Sequence, residues 1–251
     1  MRSGKIACFV VYSVLFTVSA SASAAPDEMD IIAAKLKSGD FSVVQSNLTQ
    51  LANNGNDRAQ FNLGVSYTYG NGVERNHTEA FKWYHKAAQQ GNTRAEVNLA
   101  NSYLDGVGTE KDPGQAIKWY EAAAKDGDVA ANVALGNIYS RGAVNVAPDH
   151  AKAFQYFTAA SEKGSDEADF DLGGMYLFGA GTAKDAPKAI EIYKGLAAKG
   201  NERAAMILGE IYESEKYVKQ DLPRAYAWYK VQYDTNKNAE AKSRADFLKP
   251  Y

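Results

Sequence analysis

Apolar residues in this chain follow helical spacing within short segments. One stripe, at positions i, i+3, i+4, i+7 and i+8, consists of Ala80, Trp83, Tyr84, Ala87 and Ala88, and a second consists of Ala59, Leu63, Gly64 and Tyr67. Stripes of this kind indicate helices that bury one face. We expect Gly64 and Ala80 to let paired helices approach closely, while the aromatic residues fill the core between them.

The two stripes recur together along the chain. Leu63 returns at Leu99 and Trp83 at Trp119, an offset of 36 residues. Five copies follow one another in this way, with one residue inserted in the third copy near Val146. A period of this size is typical of stacked helical hairpins.

Polar residues mark where the second helix of each copy begins. A short polar side chain stands four positions before the first alanine of that helix, where it can cap the exposed amide groups. These residues are Asn76, Asp112, Asp149, Asp185 and Asp221. The spacing therefore predicts helix-turn-helix units separated by short loops.

The full pattern is A-x-x-x-L-G-x-x-Y-x-x-G-x-G followed by D-x-x-x-A-x-x-W-Y-x-x-A-A-x-x-G. It resembles the Sel-1-like repeat (SLR) family, which is related to the tetratricopeptide repeat, over roughly Ala59 to Asn236. The resemblance implies an all-α fold, a right-handed α-solenoid of helix-turn-helix Sel-1-like repeats. The fifth copy departs from the pattern, because Glu215, Lys216 and Tyr217 stand where other copies read G-x-G.

The chain divides into eight predicted segments. Residues 1–24 are a secretory signal peptide, and residues 25–58 are an N-terminal capping half-repeat. Repeats 1 to 5 occupy residues 59–94, 95–130, 131–167, 168–203 and 204–238, the last of them degenerate, and residues 239–251 form a C-terminal capping helix. Divergent ends are expected, because the terminal units of a solenoid need an altered outer face.

The N-terminal segment has the features of a secretory signal. Arg2 and Lys5 precede an apolar run from Ile6 to Val18, and Ala22-Ser23-Ala24 forms a suitable cleavage site. The apolar run is shorter than the roughly 20 residues that a membrane span needs, so we expect cleavage and no integral span in the mature chain. The expected location is the periplasm, with secretion as a further possibility.

Cleavage would change the composition of the chain. The single cysteine, Cys8, lies in the signal, so the mature chain would contain no thiol and no disulfide. Loss of Arg2 and Lys5 leaves 26 of the 28 basic residues against 30 acidic ones, a net charge of −4. A mildly acidic protein is poorly suited to nucleic acid, and we expect no such partner.

No residue pattern indicates catalysis. His77, His85 and His150 share no metal-ligand spacing, and we expect them to be exposed and solvated. The G-x-G pairs follow helices and lack the other residues of a nucleotide site, and the serines form no nucleophile motif. We predict that the chain is not an enzyme and uses no cofactor or metal.

The remaining candidate site is the side of the first helices that is turned away from the leucine and tyrosine stripe. It would line the concave face if the array curves like related solenoids. We predict that it binds a protein through Asn62, Tyr69, Asn98, Asn101, Asp105, Asn137, Arg141, Asp171 and Phe178. Asparagine can donate to and accept from a peptide backbone, and aromatic residues can anchor apolar groups. An ordinary solvated face without a ligand is the alternative.

The centre of the predicted groove lies at Asn98, Asn101, Asn137 and Arg141. Resemblance to SLR proteins implies a non-catalytic scaffold or regulator that binds an envelope protein. An immunity protein that neutralises a toxin effector in the periplasm and a secreted host-interacting factor are alternatives of the same class. A cell-wall glycan-binding protein or hydrolase is the alternative from another class, and the residues alone do not choose among them.

Overall fold

The structure is a computed structural model that describes residues 44–249, except for the side chain of Asn236. The predicted signal peptide, the first part of the N-terminal half-repeat and the last two residues lie outside the described residues.

Residues 44–249 form twelve α-helices and no strand, which confirms the predicted all-α fold. In chain order the helices are α1 (Val44–Asn53), α2 (Asp57–Tyr69), α3 (His77–Ala88), α4 (Thr93–Asp105), α5 (Pro113–Lys125), α6 (Val129–Arg141), α7 (His150–Ser161), α8 (Asp166–Phe178), α9 (Ala186–Ala198), α10 (Glu202–Glu213), α11 (Leu222–Asn236) and α12 (Ala239–Leu248). The five repeats are the hairpins α2–α3, α4–α5, α6–α7, α8–α9 and α10–α11. α1 precedes the first hairpin, and α12 follows the last.

Each helix packs against the helices before and after it in the chain, which builds an α-solenoid. The contact within each hairpin is more extensive than the contact that joins it to the next hairpin. We call the contacts between successive repeats joints 1 to 4, and the contact of repeat 5 with α12 joint 5. Because each unit touches only its neighbours, the joints determine the shape of the array.

The predicted caps are formed at every second helix. The side chains of Asn76, Asp112, Asp149, Asp185 and Asp221 each accept a hydrogen bond of 2.9 to 3.1 Å from the backbone N–H three residues later. The first helices are capped in the same way by Asn56, Asn92, Asp128, Ser165 and Asn201. These bonds satisfy amide groups that would otherwise lack a partner inside the helix.

A small residue on each first helix makes room for an aromatic ring of the second helix. A Cβ atom at Gly64 would lie 2.6 Å from Cε1 of Tyr84, and one at Gly136 would lie 2.6 Å from Cε1 of Phe157. Tyr84 and Phe157 are buried as a result. Gly64 therefore provides space for a ring, whereas the sequence reasoning had assigned it to the approach of two backbones.

The second glycine of the G-x-G loop connects one hairpin to the one before it. Gly108 lies against the carbonyl oxygen of His77 at joint 1, and Gly181 lies against that of His150 at joint 3. A Cβ atom at either glycine would fall within 3.0 Å of this oxygen, and φ is +79° at Gly108 and +73° at Gly181. Only glycine fits both requirements, so these contacts set the spacing of the hairpins at joints 1 and 3.

The loops of repeats 3 and 5 are built differently. In repeat 3, Ala143 and Val146 exchange two backbone hydrogen bonds of 2.9 Å, and the inserted residue is accommodated in this tight turn. In repeat 5, the ring of Tyr217 packs edge-on against Phe178 of repeat 4, with 6.0 Å between centroids. The departure of repeat 5 from the repeat pattern therefore lies at joint 4.

The expectation that all three histidines are exposed and solvated is wrong for two of them. His85 is half-buried, and its ring lies 5.9 Å from that of Trp119 in an edge-on arrangement. His77 is also half-buried, and His150 is exposed. Because Trp119 belongs to the next hairpin, His85 contributes to joint 1.

None of the helices in residues 44–249 is long and apolar enough to cross a membrane.

Candidate functional site

The predicted binding residues share one side of the first helices, the side that carries the positions aligned with Asn62, Val65 and Tyr69. We call this side the first-helix face. Tyr69 and Phe178 expose 59% and 57% of their surface. Of the other predicted residues, Asn101, Asp105 and Arg141 are exposed, and Asn62, Asn98, Asn137 and Asp171 are half-buried. All nine reach solvent, while their part in binding stays a prediction.

Three of the predicted residues line one groove at joint 1. Asn98, Asn101 and Asp105 project from α4 into a groove with a volume of about 170 Å³. The complete lining is Thr68, His77, Ala80, Tyr84, Asn98, Asn101, Ser102, Asp105 and Val107. Asn137 and Arg141 are not part of it, so the four residues expected at the centre of the face lie in two places.

The hydroxyl hydrogens of this groove point into the protein. Thr68 Oγ1 donates to the backbone carbonyl one turn earlier at 2.9 Å, so the hydroxyl of Tyr84 is the donor in the 2.9 Å bond that joins it to Thr68. Ser102 Oγ donates to the backbone carbonyl of Asn98 at 2.9 Å. The groove therefore offers oxygen atoms that accept hydrogen bonds rather than hydroxyl groups that donate them.

The asparagines of the face are partly bonded to their own helices. Asn98 Nδ2 donates to the backbone carbonyl of Arg94 at 2.9 Å, and Asn62 Nδ2 donates to that of Arg58 at the same distance. The amide oxygens of Asn62 and Asn98 are thus the atoms turned away from the helix backbone. Hydrogen bonds to the backbone of their own helices therefore account for part of the excess of asparagine on this face.

Asn101 is oriented by a hydrogen bond from Tyr120, a residue that does not line the groove. Its hydroxyl donates to Asn101 Oδ1. Tyr120 is buried, and burial together with the negative charge of Asp105 raises the pKa of the hydroxyl to about 12. The hydroxyl therefore remains a donor at neutral pH, and Asn101 is left with its amide hydrogens for the groove.

Opposite charges come together on the middle of the face. Burial raises the pKa of Asp171, while the nearby Arg141 and Arg203 oppose this rise and Glu167 adds to it. Arg141 lies on α6, Asp171 on α8 and Arg203 on α10, so charges from the two neighbouring repeats act on the Asp171 carboxyl group. The charge of the predicted residue Arg141 thus acts on the carboxyl group of the predicted residue Asp171 in the next repeat.

Phe178 is only partly available as an apolar anchor. Besides the ring of Tyr217, it contacts Lys216, whose Nζ lies 5.7 Å from the centroid of the Phe178 ring. Tyr217 and Lys216 belong to the loop that departs from the repeat pattern. The departure was visible in the sequence, but its contact with Phe178 was not predicted.

The end of the face is closed by a charged cluster that the sequence reasoning missed. Arg244 of α12 forms salt bridges of 3.1 Å with Glu213, 3.4 Å with Glu240 and 3.7 Å with Glu210. The hydroxyl of Tyr229 donates to Glu213 at 2.7 Å and accepts from Arg244 at 3.5 Å. Burial, with the hydrogen bond to Glu213, raises the pKa of Tyr229.

A larger cavity lies at joint 4, outside the predicted set. It has a volume of about 670 Å³ and is lined by Pro187, Ile190, Tyr212, Val218, Lys219, Gln220, Asp221 and Arg224. At joints 1 and 3 a glycine loop packs on the start of the preceding second helix, whereas repeat 5 has no such glycine. The missing glycines at Glu215 and Tyr217 were the sequence signal for this cavity.

The described side chains provide groups that can bind a ligand. No group of three His, Asp, Glu or Cys side chains that could hold a metal ion occurs among residues 44–249. The first-helix face provides hydrogen-bond acceptors, separate charges and two exposed aromatic rings, which are the groups that protein recognition uses.

The fold and the face together define an α-solenoid of short helical hairpins. The sequence profile of the Sel1 repeat matches residues 57–92, 93–128, 129–165, 166–201 and 203–230, five copies that cover more than half of the chain. The chain belongs to the Sel1 repeat family, which confirms the resemblance noted from the sequence. Sel1 repeats are typically non-catalytic scaffolds for protein interactions.

The search of solved structures also found similar chains. A Sel1 repeat protein from Oxalobacter formigenes is 31% identical, with 85% of this chain and 87% of that chain covered and a TM-score of 0.75. A Sel1 repeat protein from Klebsiella pneumoniae is 24% identical, with 82% and 99% covered and a TM-score of 0.45. An immunity protein from Pseudomonas aeruginosa is 19% identical, with 89% and 83% covered and a TM-score of 0.47. A search of the curated proteins found no match.

Proposed function

We propose that this chain is a non-catalytic scaffold or regulator that binds another protein through its first-helix face. The observation that carries the proposal is the groove of about 170 Å³ at joint 1, where Asn98, Asn101 and Asp105 meet side chains of the preceding repeat. A groove built from two repeats has walls fixed by the packing of the solenoid. Such a preformed surface can bind a partner without ordering new segments.

The exposed aromatic residues support a protein as the ligand. Tyr69 and Phe178 expose more than half of their surfaces on the same face as the groove. Large aromatic side chains supply much of the binding energy in protein interfaces, because they bury a large area at a small cost in conformational entropy. The partner would therefore contact several repeats, with the groove as one of its contacts.

The first experiment is capture of partners from an envelope extract by the purified chain. We compare the native chain with a variant carrying alanine at Asn98, Asn101, Asn137 and Arg141. A matched control carries alanine at four exposed positions of the second helices, Lys118, Lys125, Gln155 and Lys194. Circular dichroism confirms that all three proteins are folded.

We expect a partner that the native chain and the control capture and that the face variant loses. Its identity would separate an envelope component from a toxin effector, for which the chain would serve as an immunity protein. Equal capture by all three proteins would show that the face assignment is wrong. Affinity for purified cell-wall glycan without any protein partner would favour the glycan-binding alternative.

The location that we propose is the periplasm, or the outside of the cell. The support is the sequence pattern of residues 1–24, with cleavage after Ala24. N-terminal sequencing of the chain purified from its native cells is expected to begin at Ala25. A chain that retains Met1 to Ala24 in the cytosolic fraction would overturn this part of the proposal.

A further inference from the structure

We propose that the cavity at joint 4 binds an acidic side chain of the partner protein together with an apolar side chain near it. The proposal rests on the proposed function in one respect, that the ligand is a protein. The cavity lies between the N-terminal halves of α9 and α11, and none of its lining residues belongs to the first-helix face. It would therefore add a second contact to that face.

The packing at joint 4 lacks a ring that two other joints have. At joint 1, Phe81 packs edge-on against Tyr103 of the next repeat, with 5.2 Å between ring centroids, and the aligned residues at joint 3 pack in the same way at 5.4 Å. At joint 4 the aligned residues are Ile190 and Tyr212, and both line the cavity. Isoleucine fills less space than phenylalanine, so it leaves room beside the tyrosine.

Joint 2 also has an isoleucine at this position, Ile117, but its tyrosine is covered differently. The ring of Tyr139 stacks on that of Tyr156, with 5.7 Å between centroids and 4° between planes. Tyr212 forms no ring pair with any residue of 44–249. Joint 4 therefore combines the smaller side chain with a tyrosine that no other described ring covers.

Arg224 is held at this cavity in a fixed position. Its Cζ lies 4.7 Å from the centroid of the Tyr212 ring, and its Nε lies 3.5 Å from Oδ2 of Asp221. It pairs with no other carboxylate within residues 44–249, so its terminal nitrogens are available to a ligand. Paired N–H groups of a guanidinium match the two oxygens of a carboxylate.

The other charges of the lining also favour an anion. Lys219 is exposed, and it forms no hydrogen bond or ion pair with any residue of 44–249. Asp221 is the one carboxylate among the described lining residues, and its Oδ1 already accepts from the backbone N–H of Arg224 at 3.0 Å. An acidic ligand would therefore meet two cations and no free carboxylate.

Apolar side chains stand beside these cations. Pro187, Ile190 and Val218 line the same cavity, whose volume of about 670 Å³ falls within the range of about 300 to 1,000 Å³ that is typical of ligand pockets. A carboxylate alone would leave these apolar surfaces in contact with water, whereas an apolar side chain near it would bury them.

An internal segment of the partner suits this cavity better than a chain end. The cavity is open to solvent, so a chain can cross it and continue in both directions. In an extended segment, side chains two residues apart point to the same side. The proposed ligand is therefore a glutamate or aspartate with an apolar residue two positions away.

The test titrates the purified chain with the capped peptide acetyl-Leu-Ser-Glu-Ser-Leu-amide and follows the backbone amide signals of Val218 and Gln220 by heteronuclear NMR. Of three matched peptides, one replaces glutamate by glutamine, and one replaces both leucines by serine. The third is the glutamine peptide with a free C-terminal carboxylate, which moves the charge to the chain end. The protein variants are Arg224→Lys and Lys219→Gln, and the control is Lys118→Gln, an exposed lysine of repeat 2.

We expect saturable shifts with the glutamate peptide and binding about tenfold weaker, or weaker still, for the three matched peptides. Arg224→Lys keeps the charge but loses the paired donors, so it should weaken binding about tenfold. Lys219→Gln removes the more mobile cation and should weaken binding about threefold, while Lys118→Gln should leave it unchanged.

The proposal would be overturned if the glutamate peptide gives no saturable shift or if either variant binds it as the native chain does. Equal binding of the glutamine peptide or the serine peptide would also overturn it, because the charge or the apolar groups would then play no part. Equal binding of the free acid would overturn it in favour of a chain end.

The two proposals can fail separately. The peptide experiment needs no partner, so it reports on the cavity alone. If the alanine variant of the first-helix face captures partners as the native chain does while the glutamate peptide passes its controls, the face assignment is wrong and the site at joint 4 stands. If capture depends on the face but the peptide fails its controls, the scaffold function stands and the site at joint 4 is wrong.

Discussion

At joint 1 the side chains of Thr68, Tyr84 and Asn98 surround an open groove, and at joint 5 the aligned side chains Glu213, Tyr229 and Arg244 form a closed charged cluster. The backbone arrangement is the same at both joints, since each places a second-helix tyrosine beside the helix that follows. The difference lies in two side chains. A repeat array can thus use one packing scheme both to end the solenoid and to leave a groove, depending on whether the two positions carry charged side chains that pair or uncharged ones.

The largest expected effect comes from disrupting the glycine contact that sets the spacing of repeats 1 and 2 at joint 1. Gly108→Ala would put a Cβ atom within 3.0 Å of the His77 carbonyl oxygen at a φ of +79°. We expect the free energy of unfolding to fall by about 3 kcal/mol, from overpacking and backbone strain together. Chemical denaturation followed by circular dichroism measures it.

Gly91→Ala is the matched control. Gly91 has a φ of +81° and no heavy atom within 4 Å of an added Cβ, so it carries the backbone strain without the clash. We expect a loss of about 1 kcal/mol for this variant. Equal losses at Gly108 and Gly91 would show that the contact with His77 does not fix joint 1.

The second effect is the pH dependence of stability that Tyr120 contributes. Burial and Asp105 raise the pKa of its hydroxyl from 10.0 to about 12. Below pH 10 both the folded and the unfolded chain are protonated, and above it only the unfolded chain ionises readily. Stability is therefore expected to fall between pH 10 and 12, by about 2 kcal/mol after allowance for solvent screening.

Denaturation at several alkaline pH values measures this loss, with Tyr120→Phe as the comparison. The variant should lose less stability than the native chain over the same pH interval. If the two proteins respond alike, the Tyr120 hydroxyl is not held in the buried state that orients Asn101.

The third effect tests the closed joint. Arg244→Ala leaves Glu213 and Glu210 without their cation, and because Arg244 exposes 37% of its side chain we expect a loss of about 1 kcal/mol. Hydrogen exchange should show faster exchange in α12 and unchanged exchange in α4, since each unit contacts only its neighbours. Asp246→Ala, on the same helix, serves as the control. Faster exchange in α4 as well would contradict independent joints.

The smallest expected effect concerns the open joint. Asp105→Asn removes a charge that no described residue pairs, so we expect the free energy of unfolding to change by less than about 0.5 kcal/mol. The same denaturation assay measures it. A loss of more than about 1 kcal/mol would mean that Asp105 stabilises the free chain, and the comparison of an open joint with a closed one would then fail.

The features of the fold that the sequence could predict are local in the chain. The caps at Asn76 and Asp112 depend on residues three positions apart, and the buried stripe of α3 depends on residues within three turns. Repetition at a fixed period added the stacking of hairpins, because each hairpin leaves an apolar face that the next one must cover. The all-α solenoid could therefore be derived without coordinates.

The features that were missed depend on contacts between copies. The G-x-G pairs were placed in loops that follow helices, but the contact of Gly108 with His77 joins residues of different repeats. Helical periodicity put the face residues on one side of the first helices, but it cannot show that Asn101 is bonded to Tyr120 or that the charge of Arg141 acts on Asp171. Which polar groups are satisfied inside the chain decides where a site can lie, and this information is three-dimensional.

The two glycine contacts also bear on the stiffness of the molecule. A loop seated against a helix start resists rotation of one hairpin about the next, and joints 1 and 3 have this contact, whereas joint 4 has a cavity of about 670 Å³ instead. We expect distances between spin labels on α9 and α11 to be more broadly distributed than those between labels on α3 and α5. Repeats 1 and 2 would then move as one rigid unit, and the array would bend more easily between repeats 4 and 5. A partner that spans both ends would meet a fixed surface at repeats 1 and 2 and a variable curvature at repeat 5.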